Sequence, residues 1–328
     1  MRTIAIKQTF FLDSTPALAL RLKAVIAYLL AAVALFGGFA QAKEVTLPYK
    51  GLTLNANLEL ATDKKLADGV ILITHGGLAH NGMEIITYLQ KLLKERGHNT
   101  LAINLSLGLN NRHGMYDCAV TQRHTNDDAA AEIGAWAGWL KKQGTKRIVL
   151  FGHSRGGTQT ALYAAQQGHA LVKAVVLMAP ATRDNTDADT YLRNFQQPLA
   201  PVLEKAQKFH HAGKGSAVLD HIGLMNCNET SASADSFISY YAQAPHNLRL
   251  DTPALLPKIK QPTLVLVAGN DEVVIGLDKK LAPLTDGKHI QMKIIEGADH
   301  TFRDLSADDA VDAVDTFLKA LGRPSPKS

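Results

Sequence analysis

Short apolar runs alternate with longer amphipathic stretches through most of this chain. Residues 69–74 (GVILIT), 100–105 (TLAINL), 147–151 (RIVLF), 174–179 (AVVLMA), 263–268 (TLVLVA) and 292–295 (MKII) read as short strands. Continuous runs of this kind suit strands covered on both faces, as in a parallel sheet. Ahead of them, residues 45–60 alternate apolar and polar positions (Leu52, Leu54, Ala56, Leu58, Leu60), the pattern of an antiparallel pair with one covered face. Strands and helices alternate from residue 69 to 180, and a last helix is predicted from Ser306. There Asp309, three residues on, makes a capping-box-like start, and Val311, Val314, Phe317, Leu318 and Leu321 form an apolar face. Residues 182–257 lack strand periodicity but are rich in helix formers and aromatics (Tyr191, Phe195, Phe209, Phe237, Tyr240, Tyr241). They read as a helical insertion after the sixth strand, its aromatics packing its own core. The division expected is a core from 43–181 and 258–328, with a cap from 182–257.

The first residues do not join this pattern. Arg21 and Lys23 precede an apolar run at 24–39 that closes on Ala40-Gln41-Ala42, a small-residue cleavage site. A secretory signal peptide over 1–42, cut after Ala42, is expected; the alternative is an uncleaved anchor through 24–39, and the charged lead also permits a start downstream of Met1. The segment holds four basic residues (Arg2, Lys7, Arg21, Lys23) and one acidic residue (Asp13), so cleavage lowers the formal charge from +5 to +2. No basic stripe with interleaved aromatics remains, which argues against a nucleic-acid partner. A composition of 46% hydrophobic and 20% charged residues suits one globular domain built on a buried sheet, with no integral membrane segment once the signal is removed.

Candidate chemistry lies where strands end. Gly152-His153-Ser154-Arg155-Gly156 follows the 147–151 strand and precedes a helix-forming run, 158–167. A serine hydroxyl needs a base to take its proton, and flanking Gly152 and Gly156 let the chain turn tightly enough to lift the hydroxyl clear of the sheet. Asp271 opens the turn after strand 263–268, and His300 lies in the loop after strand 292–295, so the three fall in the order Ser154, Asp271, His300. After strand 69–74 comes His75-Gly76-Gly77-Leu78. Gly77, with Leu78 as the fallback, and the backbone N–H of Arg155 are the candidate oxyanion donors, and the ring N–H of His75 is expected to shape that turn. Competing readings are Ser154 as a helix cap, Asp271 as an ordinary turn residue and Asp184 as the orienting acid. His80, His113, His124 and Cys118 lack the close spacing of a zinc set, so no metal is expected.

These four motifs in this order resemble the α/β-hydrolase superfamily, most closely its capped branch of monoglyceride lipases and proline-iminopeptidase-like serine hydrolases. The carrying residues are His75 to Gly77, Gly152 to Gly156, Gly269 to Val274 and Gly297 to Phe302. The resemblance implies an eight-stranded, mostly parallel sheet flanked by helices with a helical cap after strand 6. It also implies a Ser-His-Asp acyl-enzyme mechanism without metal or organic cofactor, acting on a small ester or lipid-like substrate. A thioesterase, a small-peptide amidase and a noncatalytic binding module are the alternatives. One departure is visible: where relatives often carry an aspartate and an Arg-Gly-His-Gly-like turn after the fourth strand, this chain reads Ser106-Leu107-Gly108-Leu109-Asn110 through Cys118. Cys118 and Cys227, the two cysteines, suit a disulfide in an oxidising compartment, periplasmic or secreted, with two buried thiols as the alternative. Oligomeric state has no signal in the sequence.

Overall fold

Residues 42–166, 168–242 and 251–322 are described by a computed structural model. The expected signal peptide lies outside them except for its last residue, Ala42. Two strands open the described chain, β1 (Lys43–Tyr49) and β2 (Leu52–Glu59), paired antiparallel with Val45 opposite Ala56 and Leu47 opposite Leu54. Then follow β3 (Val70–Thr74), α1 (Glu84–Glu95), β4 (Thr100–Asn104), α2 (Asn126–Lys142), β5 (Ile148–His153), α3 (Arg155–Gln166) and β6 (Val172–Met178). The insertion contributes α4 (Ala188–Phe195), α5 (Leu199–His211), β7 (Val218–Leu224), β8 (Cys227–Ser233), α6 (Ala234–Tyr241) and α7 (Thr252–Leu255). The chain returns through β9 (Thr263–Ala268), α8 (Leu277–Leu281), β10 (Ile290–Ile295) and α9 (Leu305–Leu321).

Eight strands form one sheet in the order β1-β2-β4-β3-β5-β6-β9-β10, parallel from β4 to β10. Because side chains alternate across a strand, neighbouring residues enter opposite cores. Leu72, Leu150, Val175 and Val265 pack on one face with Trp136 of α2, while Ile73, Phe151, Val176 and Leu266 pack on the other with α1 and α9. Parallel register aligns the strand ends: Thr74 lies opposite Gly152, His153 opposite Met178, and Ile295 opposite Ala268. The loops after β3, β5, β9 and β10, which carry Gly77, Ser154, Asp271 and His300, therefore emerge along one edge.

Two sequence expectations are corrected. The capping box at Ser306 does not form: α9 starts at Leu305, its N-cap is Asp304, and no side chain caps it. The insertion also holds the antiparallel hairpin β7–β8, although its sequence lacks strand alternation. Register shifts along the hairpin break the two-residue period that a sequence pattern would reveal. Its aromatics do form a separate core, with Tyr191, Phe237, Tyr240 and Tyr241 buried and the Tyr191 and Tyr241 rings crossing edge-on at 5.0 Å.

The hairpin is fastened to the loop after β4. Cys118 and Cys227 form a disulfide. The Thr230 hydroxyl donates to the Cys118 carbonyl at 2.6 Å, the Gln122 amide donates to the Ser231 carbonyl, and the Ser233 amide donates to the Gln122 carbonyl, both at 2.8 Å. The disulfide spans 109 residues, and removing so long a crosslink is expected to lower stability by about 2–5 kcal/mol. Urea unfolding of the oxidised protein and of Cys227→Ser measures this; coincident midpoints would show that the crosslink adds nothing to the hydrogen bonds beside it.

Candidate active site

Ser154 sits between β5 and α3 with φ at 54°, a left-handed backbone that a non-glycine residue adopts only where its surroundings hold it. Here the Ser154 amide donates to the Met178 carbonyl at 2.9 Å, and the Ser154 carbonyl accepts from the amides of Gly157, Thr158 and Ala181 at 2.9–3.3 Å. The flanking glycines are required by close packing. A Cβ on Gly156 would lie 2.1 Å from the His75 carbonyl oxygen, and one on Gly152 would lie 2.5 Å from both the Gly156 carbonyl oxygen and Thr160 Oγ1. The first turn of α3 is thus pressed against the end of β3 and β5, leaving the serine at the apex.

His300 Nε2 lies 2.8 Å from Ser154 Oγ, and His300 Nδ1 lies 2.9 Å from Asp271 Oδ2 and 3.1 Å from Oδ1. An ionised carboxylate only accepts, so Nδ1 carries the proton and Nε2 is left to accept from the serine hydroxyl. Asp271 Oδ1 also accepts from the amides of Val273 and Val274, each at 2.8 Å. Burial alone would raise the Asp271 pKa, but the His300 ring N–H and these two amides together hold it below the usual carboxylate value. The rival acid Asp184 lies elsewhere, with its Oδ2 2.5 Å from Lys280 Nζ.

His153 is a site residue to which the sequence assigned no role. Its Nε2 is 2.9 Å from the carbonyl oxygen of His300, so that nitrogen donates and fixes the backbone that carries the His300 ring. Burial, with a contribution from His300, pushes its pKa down to about 4. His75 is buried at the end of β3. Its Nε2 accepts the Leu105 amide at 3.0 Å, which leaves Nδ1–H facing the Gly76 carbonyl at 3.2 Å, in line with a turn-shaping ring. Burial and the Arg112 charge push it down to about 3. Arg112, itself buried, donates to the carbonyls of Leu105, Ala79 and Gly114 and to Asn104 Oδ1, knitting together the loop that departs from the family pattern.

Both histidines bind a proton near pH 6.5 when unfolded and resist it when folded. Their contribution is complete above pH 6.5 and is lost as the pH falls toward 4 for His153 and 3 for His75. At pH 5 each is expected to cost on the order of 2 kcal/mol relative to pH 7.5. Urea unfolding at the two pH values checks the sign; equal stability would refute it.

Gly77 adopts φ of 43°, and the backbone N–H groups of Gly77, Leu78 and Arg155 donate to no acceptor among the described residues. All three are therefore free for a ligand, with Gly77 and Leu78 still alternatives. A Cβ on Gly77 would lie 3.0 Å from Asn226 Oδ1, so the tip of the β7–β8 hairpin overhangs this turn. Asn226, adjacent to the disulfide, had no sequence signal. The four imagined zinc ligands are separately engaged: Cys118 in the disulfide, His113 with Glu44, and His124 with Tyr240, while His80 accepts the Gly82 amide. Among the described residues no group of side chains has a metal-binding arrangement, and no helix is long and apolar enough to cross a membrane.

A cavity of about 650 Å³ opens over Ser154, between the strand-end loops and the insertion. Its size falls in the range of small-molecule sites. Gly77, Arg155, Tyr191, Phe195, Met225 and Tyr241 are among its walls.

A serine at a strained strand-to-helix turn, on a mostly parallel eight-stranded sheet with a histidine and an aspartate at neighbouring strand ends, defines an α/β-hydrolase fold. The chain belongs to the alpha/beta hydrolase family, whose sequence model matches residues 70–314. Among solved structures it is similar to Est1E from Butyrivibrio proteoclasticus, with a TM-score of 0.60 and 18% identity over 85% of this chain and 98% of that one. It is also similar to the alpha/beta hydrolase GrgF from Penicillium sp. sh18, with a TM-score of 0.59 and 17% identity over 85% and 97%. The esterase domain of a Rhodothermus marinus protein gives a TM-score of 0.54 and 17% identity over 86% and 100%. At these identities the likeness concerns the fold. No curated protein matches the chain in sequence.

Proposed function

We propose that this protein is a serine hydrolase that cleaves a carboxylic ester through an acyl-enzyme. The observation that carries the reading is the continuous hydrogen-bonded line from Ser154 Oγ through His300 to Asp271. Ser154 Oγ attacks the ester carbonyl while its proton passes to His300 Nε2. The amides of Gly77 and Arg155 hold the oxyanion, and Asp271 stabilises the imidazolium. His300 then returns the proton to the departing alcohol. A water, deprotonated by the same nitrogen, attacks the acyl carbon and releases the acid and Ser154. No step draws on a metal or organic cofactor.

Residues 182–257 serve in this reading as a cap that excludes bulk water and selects the substrate by shape, which is the basis for the narrower placement among capped hydrolases of the monoglyceride lipase and proline-iminopeptidase kind. Export through a signal peptide cleaved after Ala42, to the periplasm or the medium, is part of the same reading, and the Cys118–Cys227 disulfide supports an oxidising compartment. The test is hydrolysis of p-nitrophenyl esters of increasing acyl length beside matched thioesters and amides. Cleavage of esters with little cleavage of amides supports the reading; cleavage of amides alone replaces it with an amidase on the same residues.

A further inference from the structure

Arg155 contributes more than its backbone amide. It is a wall residue of the cavity beside Ser154, its guanidinium carbon lies 6.0 Å from the centroid of the Tyr240 ring, and its Nη1 is buried without a hydrogen-bond partner. The guanidinium forms no ion pair among the described residues, and burying its Nη1 without an acceptor is costly although the residue as a whole is only half-buried. The neighbouring phenols do not balance it: burial raises the pKa of Tyr241 to about 12 and that of Tyr240 further, so both stay neutral. None of the acids of the cavity pairs with it. Asp184 is paired with Lys280, Asp187 accepts the Thr190 amide as the N-cap of α4, and Glu272 is exposed. The second cationic wall residue, Arg193, donates to Thr190 Oγ1 and is exposed. An uncompensated positive charge next to the serine is thus a built feature of the cavity.

We propose that Arg155 selects substrates carrying an anionic group, a carboxylate or phosphate a few bonds from the scissile carbonyl. The proposal rests on the ester-hydrolase reading and names its substrate class. Arginine suits this task because its guanidinium remains charged when buried and presents paired donors to a planar carboxylate or a phosphate. A neutral ester occupying the cavity would leave this cation desolvated, so discrimination comes from repulsion of the wrong substrate as well as attraction of the right one.

The test compares kcat/KM for two matched pairs. One pair, p-nitrophenyl butyrate and mono-p-nitrophenyl glutarate, differs in charge on the acyl side. The other, 4-(methoxycarbonyl)phenyl acetate and 4-carboxyphenyl acetate, differs on the leaving-group side. The wild type is expected to favour the anionic member of at least one pair by tenfold or more. Arg155→Met should reduce that ratio by at least tenfold, and Arg155→Lys should restore part of it. The ratio is read whatever happens to absolute rates, because a general disturbance of the turn slows both members alike. Calorimetric titration of Ser154→Ala with monomethyl glutarate and with inorganic phosphate, repeated with Arg155→Met added, reads anion binding without chemistry. Arg155-dependent binding with no turnover of any ester would sustain the anion site and sink the hydrolase reading instead. An unchanged ratio in Arg155→Met, or anion binding that is absent or indifferent to Arg155, overturns the proposal.

Discussion

Ser154→Ala is expected to lower kcat on the best ester by about 10⁴- to 10⁶-fold while the protein stays folded, since removing the nucleophile of a serine triad has effects of this size. The substitution removes one oxygen from a side chain at the cavity floor, and the bonds that hold the turn are all made by the Ser154 backbone. Alanine leaves them in place, although it inherits the positive φ. Circular dichroism and the urea midpoint should therefore stay near wild type while turnover disappears. Residual turnover within tenfold of wild type would place the nucleophile elsewhere and withdraw the acyl-enzyme mechanism.

Asp271→Asn carries the second-largest expected effect, a loss of about 10³- to 10⁴-fold in kcat. An amide at this position presents an NH₂ group as well as an oxygen, and two backbone amides already compete for the oxygen. The NH₂ then faces His300 Nδ1, which must become the acceptor, and Nε2 carries the proton and can no longer take one from Ser154. Asp184→Asn, at the rival acid, should cost less than tenfold, because that carboxylate is held by Lys280 and has no bond to His300. Equal losses at the two positions would mean that the hydrogen bond to His300 does not determine the rate.

The contrast between these aspartates also shows what the sequence revealed. Asp271 and Asp184 both follow a strand, and both belong to ordinary turn chemistry. Only the parallel register of β9 and β10 decides between them, by placing the end of β9 beside the loop that carries His300. Buried strands such as 263–268 were readable because continuous apolar runs leave few alternatives, and that stretch matches β9 residue for residue. The β7–β8 hairpin was not, because its register shifts erase alternation and much of its holding force comes from bonds to residues over a hundred positions away. His153 and Asn226 were missed for a related reason. Each acts through a contact distant in sequence, His153 with the His300 carbonyl and Asn226 with the Gly77 turn, and no local pattern announces such a contact.

The disulfide gives the cavity an asymmetry in time. On one side the insertion is joined to the core by Cys118–Cys227, a bond that does not exchange during turnover unless a thiol attacks it. On the other side it is held by the Asp184–Lys280 ion pair and by the Asn185 side-chain amide donating to the Val273 carbonyl at 2.7 Å, contacts that break and re-form within nanoseconds. The mouth of the cavity is thus bounded by a covalent tie at the cysteines and by exchangeable contacts at Asp184 and Asn185, beside which Val273 and Ile275 form an exposed rim.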